Sequence, residues 1–178
     1  ITGMFMSGTI PPAEPYISII SVVSLASVPV FLFLWVILHN TASLEHKVFT
    51  LTSLALIIIF ATLTSINRYV ALTVVRQSID MDITEGLNWF MPYGWPSIMA
   101  AIEVLAWGLF LGLSFLFLAP AFRKGRLEIA IFWTLIISGL FSLTAVLGQV
   151  VNSAILNMLG IVAWGPGVEH GGIAPGQS

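Results

Sequence analysis

Two charged residues lie inside stretches that are otherwise apolar. Arg68 sits in "LTSINRYVALTVVRQS", with Asn67 beside it, and Glu103 sits in "AAIEVLAWG". Gln149 and Asn152 break a third apolar stretch near its end. An arginine and a carboxylate can pair, bind a polar headgroup, or divide acid and base roles between them. An ionised group in apolar surroundings is costly unless it is paired or meets water, so such residues are candidates for function.

Counting along the chain sets their depth. Arg68 lies about 20 residues beyond Lys47, Glu103 about 20 before Arg123, and Gln149 about 20 beyond Glu128; each step is roughly 30 Å of helix. Arg68, Glu103 and Gln149 therefore fall at nearly one level, with Asn67 and Asn152 within a turn of it, and Ser18 is the matching residue of the first apolar stretch. The reading is an Arg68–Glu103 ion pair, with Asn67, Gln149 and Asn152 supplying its remaining donors and acceptors. Trp107 follows Glu103 by one helical turn, and Phe110 and Ser114 continue that side. Asn67, Arg68, Glu103, Trp107, Gln149 and Asn152 form the candidate ligand-binding set. Three roles stay open for the charges: a lock between two helices, independent snorkelling to headgroups, and a functional site.

The elements that must position these residues follow from composition. Of 178 residues, 58% are apolar and 8% charged, and mean hydropathy is +1.02; a soluble domain carries about 25% charge. This composition predicts an integral membrane protein. The net charge of −2 argues against nucleic acid as a partner. With no cysteine, disulfides, thiolate metal sites and cysteine nucleophiles are excluded.

Four stretches are long enough to span a bilayer: 17–38, 48–75, 97–122 and 127–151. A shorter one, 153–164, reads as an interfacial or re-entrant helix, or the stub of a fifth span. All are apolar all round, without the alternation of barrel strands, so the predicted fold is an all-α four-helix membrane bundle with a short C-terminal helix. Residues 1–16 lack the basic region of a cleavable signal, and 165–178 read as a flexible tail.

Lys47 and the "RKGR" run, Arg123–Arg126, put loops one and three on the cytoplasmic side. Both termini and the acidic, aromatic loop between spans two and three are then extracytoplasmic, in a cell membrane. Trp89, Tyr93 and Trp95 suit the outer aromatic belt, and Trp35 an inner one. Gly108 and Gly112 form a small-residue face for close helix packing. The inner half of every span reads as nearly free of polar groups, which leaves no path for a transported solute.

No nucleotide-binding glycine loop, zinc-protease motif or serine elbow occurs, and no lysine lies within a span. His39 and His46 alone do not make a metal site, and neither metal nor cofactor is expected. The segments "SINRYVALTVVRQS", "IEVLAWGLFLGLSFLFLAPAFRKGRLE" and "VAWGPG" resemble a group of small prokaryotic polytopic membrane proteins. The resemblance covers about residues 48–165 and transfers no catalytic residue. It implies a final span after the "AWGP" stretch, where this chain turns polar instead.

Three functions compete on these grounds. The first is a non-catalytic module binding a small amphipathic ligand, lipid or partner subunit. The second is a small transporter or channel component. The third is an intramembrane enzyme using Glu103 as acid or base. Membrane lipids, other membrane subunits or a second copy are the expected partners.

Overall fold

A computed structural model describes residues 15–83, 85–92 and 96–164, the last four as backbone only. The expectations for residues 1–14, Tyr93, Trp95 and 165–178 lie outside the described residues. Every described element is a helix. Four are long and apolar enough to cross a membrane: α1 (Tyr16–Thr41), α2 (Leu44–Asp80), α3 (Ile98–Ala121) and α4 (Arg126–Val150). A shorter helix, α5, spans Ala154–Trp164.

The apolar stretches predict these helices to within a few residues at most ends. The largest difference is α2, which continues past residue 75 through Asp80. Its 37 residues make roughly 55 Å of helix, well beyond the roughly 30 Å of a hydrocarbon core. The added turn, "RQSID", is polar and carries no buried residue, so water can satisfy it. Pro29 sits within α1 without ending it. Ser97 starts α3 by accepting from the Ala100 N–H at 3.4 Å, while its hydroxyl donates to the Met91 carbonyl at 2.7 Å. At the opposite, basic end, the Lys47 ammonium donates to the Asn40 carbonyl at 3.0 Å. A cation there complements the C-terminus of α1.

Packing follows chain order: α1 on α2, α2 on α3, α3 on α4, and α5 on α4. The two central helices, α2 and α3, bury more of their surface than the flanking α1 and α4. The buried face of α2 recurs every three or four residues, through Thr50, Ser53, Ile57, Phe60, Thr64, Asn67, Ala71 and Val75. Many of those side chains are polar. The outward faces are the reverse: Val22, Val23, Val30, Phe33, Ile58, Ile66, Leu140 and Leu147 are all exposed. A surface of that kind calls for an apolar surround rather than water.

Small residues bring the outer helices in. The buried residues of α4 are Gly139, Ser142, Ala145 and Gly148. A Cβ on Gly139 would stand 2.8 Å from the Gly112 carbonyl oxygen, and one on Gly108 3.0 Å from that of Ser142. Gly108 and Gly112 thus face α4 of the same chain.

The far end of α4 closes by a turn whose geometry is set by Asn152, at φ +52°. Ser153 N–H donates to the Gly148 carbonyl and Asn152 N–H to that of Gln149, a pairing that satisfies the last carbonyls of a helix. The chain then returns. A Cβ on Gly148 would stand 2.6 Å from Asn157 N, and one on Gly160 2.7 Å from Ala145 Cα. So α5 runs antiparallel along α4. The short 153–164 stretch finds a helix to lie against because Gly148 and Gly160 let the two backbones touch.

These contacts leave no room for a branched side chain. Gly139→Val is expected to destabilise the detergent-solubilised protein by about 1–3 kcal/mol. Gly125→Ser, with nothing within 4 Å of its Cβ, should stay within about 0.5 kcal/mol of the parent. Thermal unfolding of the two variants checks this; equal midpoints would mean that α3 and α4 are not packed at Gly139.

Candidate functional site

Arg68 and Glu103 meet. The Arg68 guanidinium (Nη2) donates to Glu103 Oε1, and the Asn67 amide donates to Oε2. The same amide donates to the Met99 carbonyl at 3.1 Å. Arg68 is 5% exposed and the Glu103 side chain 16%. The pair is therefore enclosed between α2 and α3, with a limited opening on the Glu103 side. Two donors, one on each carboxylate oxygen, satisfy what burial would otherwise leave costly.

Local sequence explains the convergence. Thr64, Asn67, Arg68 and Ala71 lie three or four apart, on the buried face of α2. Glu103 is followed at one turn by Trp107, whose ring stands edge-on to Phe60 with centroids 5.2 Å apart. Each helix also leaves regular α geometry next to the pair, in π-type turns over Ala71–Val75 on α2 and Leu105–Leu111 on α3. Such turns occur often at functional sites.

The two other predicted members do not join. Gln149 is half-buried on α4 and makes no side-chain hydrogen bond among the described residues. Asn152 is exposed at the turn after α4, where its type serves the left-handed backbone. A shared level along the helices does not say which face a side chain occupies.

Two further residues lie near this level. The antiparallel register of α1 against α2 is set by the Trp35–Ser53 and His39–Thr50 contacts, at 2.8 and 2.9 Å. That register brings Ser21 to the level of Asn67 and Arg68. Ser21 is fully buried, and its hydroxyl has no hydrogen-bond partner among the described residues. The same holds for the Thr64 hydroxyl and for Asn67 Oδ1. Serine and threonine are ordinary in apolar helices, and their only sequence signal was position on the inward face.

A second polar contact lies toward the basic end. Trp35 Nε1 donates to Ser53 Oγ at 2.8 Å and to Ser114 Oγ at 3.0 Å. Ser53 Oγ also donates to the Ser114 carbonyl at 2.7 Å, so three helices meet at one point. Trp35 is 4% exposed, which corrects its reading as an interfacial belt residue. A buried indole N–H needs a partner, and two serines on neighbouring helices supply one. The basic end is thus not free of polar groups, but the side chains of this contact satisfy each other. Between the two contacts Ile57, Phe60, Trp107, Phe110 and Leu111 fill the interior.

Among the described residues, no three His, Asp or Glu side chains gather as metal ligands. No known protein family, curated protein or solved structure matches the chain. The roles of its residues therefore rest on their geometry.

If the pair couples α2 to α3, Arg68→Gln and Glu103→Gln should each destabilise the solubilised protein by about 3–5 kcal/mol. The double variant should lose clearly less than the sum. Strict additivity in thermal or denaturant unfolding would sink the coupling.

Proposed function

We propose that the chain is a multi-pass integral membrane protein, a bundle of four spans with α5 folded against the last. It serves as a non-catalytic module that binds a small amphipathic ligand, a lipid or a partner subunit through the cluster around Arg68 and Glu103. The basic loops face the cytoplasm, and the cluster lies toward the outer leaflet. The observation that carries this reading is a buried, paired arginine and glutamate in helices otherwise apolar enough to cross a membrane. Around it stand polar groups of Ser21, Thr64 and Asn67 without partners among the described residues. A lock between helices needs the pair but gains nothing from buried groups left unsatisfied, each of which carries a desolvation cost.

The interior argues against the two competing functions. A transport path would need polar groups that continue past the cluster. Here the aromatic fill around Phe60 and Trp107, and then the Trp35–Ser53–Ser114 contact, stand in the way. An acid or base must offer a free lone pair or proton to a substrate. Hydrogen bonds from Arg68 and Asn67 commit the Glu103 carboxylate to its structural partners, and among the described residues no activated nucleophile stands beside it.

Native mass spectrometry of the gently solubilised protein tests the binding role. A stoichiometric small molecule or lipid, lost in Arg68→Ala and Glu103→Ala variants that still fold, is the expected result. A bare parent protein, or a ligand retained equally by both variants, would overturn it.

Orientation is tested separately, and the absence of native cysteine makes labelling clean. A cysteine replacing Ser78 should react with an impermeant maleimide in intact cells, and one replacing Ala42 should not. The opposite pattern would reverse the topology without touching the binding role.

A further inference from the structure

Positive charge is unevenly placed on this chain. Its six lysines and arginines are Lys47, Arg68, Arg76, Arg123, Lys124 and Arg126. Arg68 is paired with Glu103. The Lys47 ammonium donates to the His39 and Asn40 carbonyls at the end of α1. Arg76 is followed closely in the chain by Asp80, Asp82 and Glu85. The other three fall within four residues, in the turn from α3 to α4.

Arg123, Lys124 and Arg126 are all exposed, and none makes an ion pair among the described residues. The neighbouring carboxylate, Glu128, accepts from the Lys124 backbone N–H at 2.6 Å. Even with Glu128 counted, the turn carries a formal charge of +2, three cations less one carboxylate. A Cβ on Gly125, in the middle of the turn, would have nothing within 4 Å, so no other described part of the chain covers it there. The Arg123 guanidinium lies over the Phe132 ring, 5.0 Å from its centroid. A cation over a ring face is held in place while its N–H donors stay available to an oxygen ligand.

From these cations an apolar stripe runs along α4. Arg126, Ile129 and Trp133 recur at three- and four-residue steps and so share one face, which Ile137 and Leu140 continue. Ile129 is 48% exposed and Trp133 56%. A cationic top over an exposed apolar stripe matches a phospholipid, with its charged head above and its acyl chain below; a soluble anion would use only the top. We infer that the α3–α4 turn and this face of α4 form a binding site for an anionic phospholipid, its phosphate met by Arg123, Lys124 and Arg126. Positive charge here also favours a cytoplasmic placement of the loop, where anionic lipid is the surface it would meet. The site lies roughly 30 Å along the helices from the Arg68–Glu103 cluster and does not depend on the role proposed for that cluster.

The test uses the full chain in detergent micelles with two competing lipids of equal chain length, dioleoylphosphatidylglycerol and dioleoylphosphatidylcholine. Retention is read by native mass spectrometry. Both heads carry a phosphate, but only phosphatidylglycerol is anionic, and it should be retained selectively. Arg123→Gln, Lys124→Gln and Arg126→Gln should each reduce that selectivity about fivefold, the worth of one cation near an anionic surface. Selectivity in the parent should also shrink as the ammonium acetate concentration rises. The salt series needs no variant, so a variant that fails to fold does not decide the matter.

Equal retention of the two lipids by the parent overturns the site, and so does selectivity that survives the triple Gln variant or is indifferent to salt. Displacement of phosphatidylglycerol by millimolar inorganic phosphate would leave a bare anion site and overturn the lipid assignment. Selectivity lost in a folded Arg68→Ala variant but kept in the triple Gln variant would move the lipid to the cluster and overturn this site while supporting the other. A ligand missing from the cluster leaves the selectivity at the turn unchanged, so the two proposals fail separately.

Discussion

An arginine cannot shed its charge, so wherever a helix carries one away from water the rest of the protein must provide for it. That constraint organises this chain. Arg68 faces inward from α2, and Glu103 on α3 is the counter-ion that makes its burial tolerable. Asn67, next in sequence, ties the carboxylate and the Met99 carbonyl to the same turn of α2. The planar guanidinium fixes direction as well as charge, in a way that a lysine on a flexible stem would not. Once α2 and α3 are held at this point, their register is set along the rest of their length. Phe60 then meets Trp107, and Ser53 meets Ser114.

In an apolar surround, helices gain little from hiding apolar faces, because the surround is as apolar as the side chains. Contact has to come from close packing and from polar groups that find one another. The chain uses both, on different pairs of helices. Between α1, α2 and α3 the contacts are polar: the ion pair at one end and the Trp35 indole shared by Ser53 and Ser114 at the other. Between α3, α4 and α5 they are small: Gly108 and Gly112 against Gly139 and Ser142, then Gly148 against Asn157 and Ala145 against Gly160. The central helices can thus be held by specific hydrogen bonds while the flanking ones are held by shape.

How much of this was legible follows the same division. The helices were, because an apolar stretch of about 20 residues has few other structures open to it in a membrane. The meeting of Arg68 with Glu103 was, because rise per residue converts a count from the basic loops into a depth. Membership of Gln149 and Asn152 was not, because a shared depth says nothing of rotation about the axis. Asn152 was also a different kind of signal: an asparagine just past an apolar run, suited to end a helix in the left-handed conformation. Trp35 looked interfacial because it is near an end of α1, and its partners lie 18 and 79 residues away. The spacing of Gly139, Ser142, Ala145 and Gly148 was present in the sequence and readable by the rule applied to Gly108 and Gly112. Ser21 and Thr64 were not readable, since their importance comes only from what they fail to bond.

The unequal treatment of the two polar contacts bears on function. At the Trp35 end each side-chain donor and acceptor finds another, and the contact is closed. At the Arg68 end the charges are served by several donors, while neutral groups beside them are left without protein partners among the described residues. Satisfying them would have been simple: Ser21 and Thr64 could be alanine and valine with little change of volume. The network is complete only for its charges, although the neutral side chains beside them are equally enclosed. The charged pair holds α2 and α3 in register, and the neutral groups are covered by that packing without being bonded by it. The lock is thus built from the charges, and its strength offsets the desolvation cost of the neutral groups enclosed beside it.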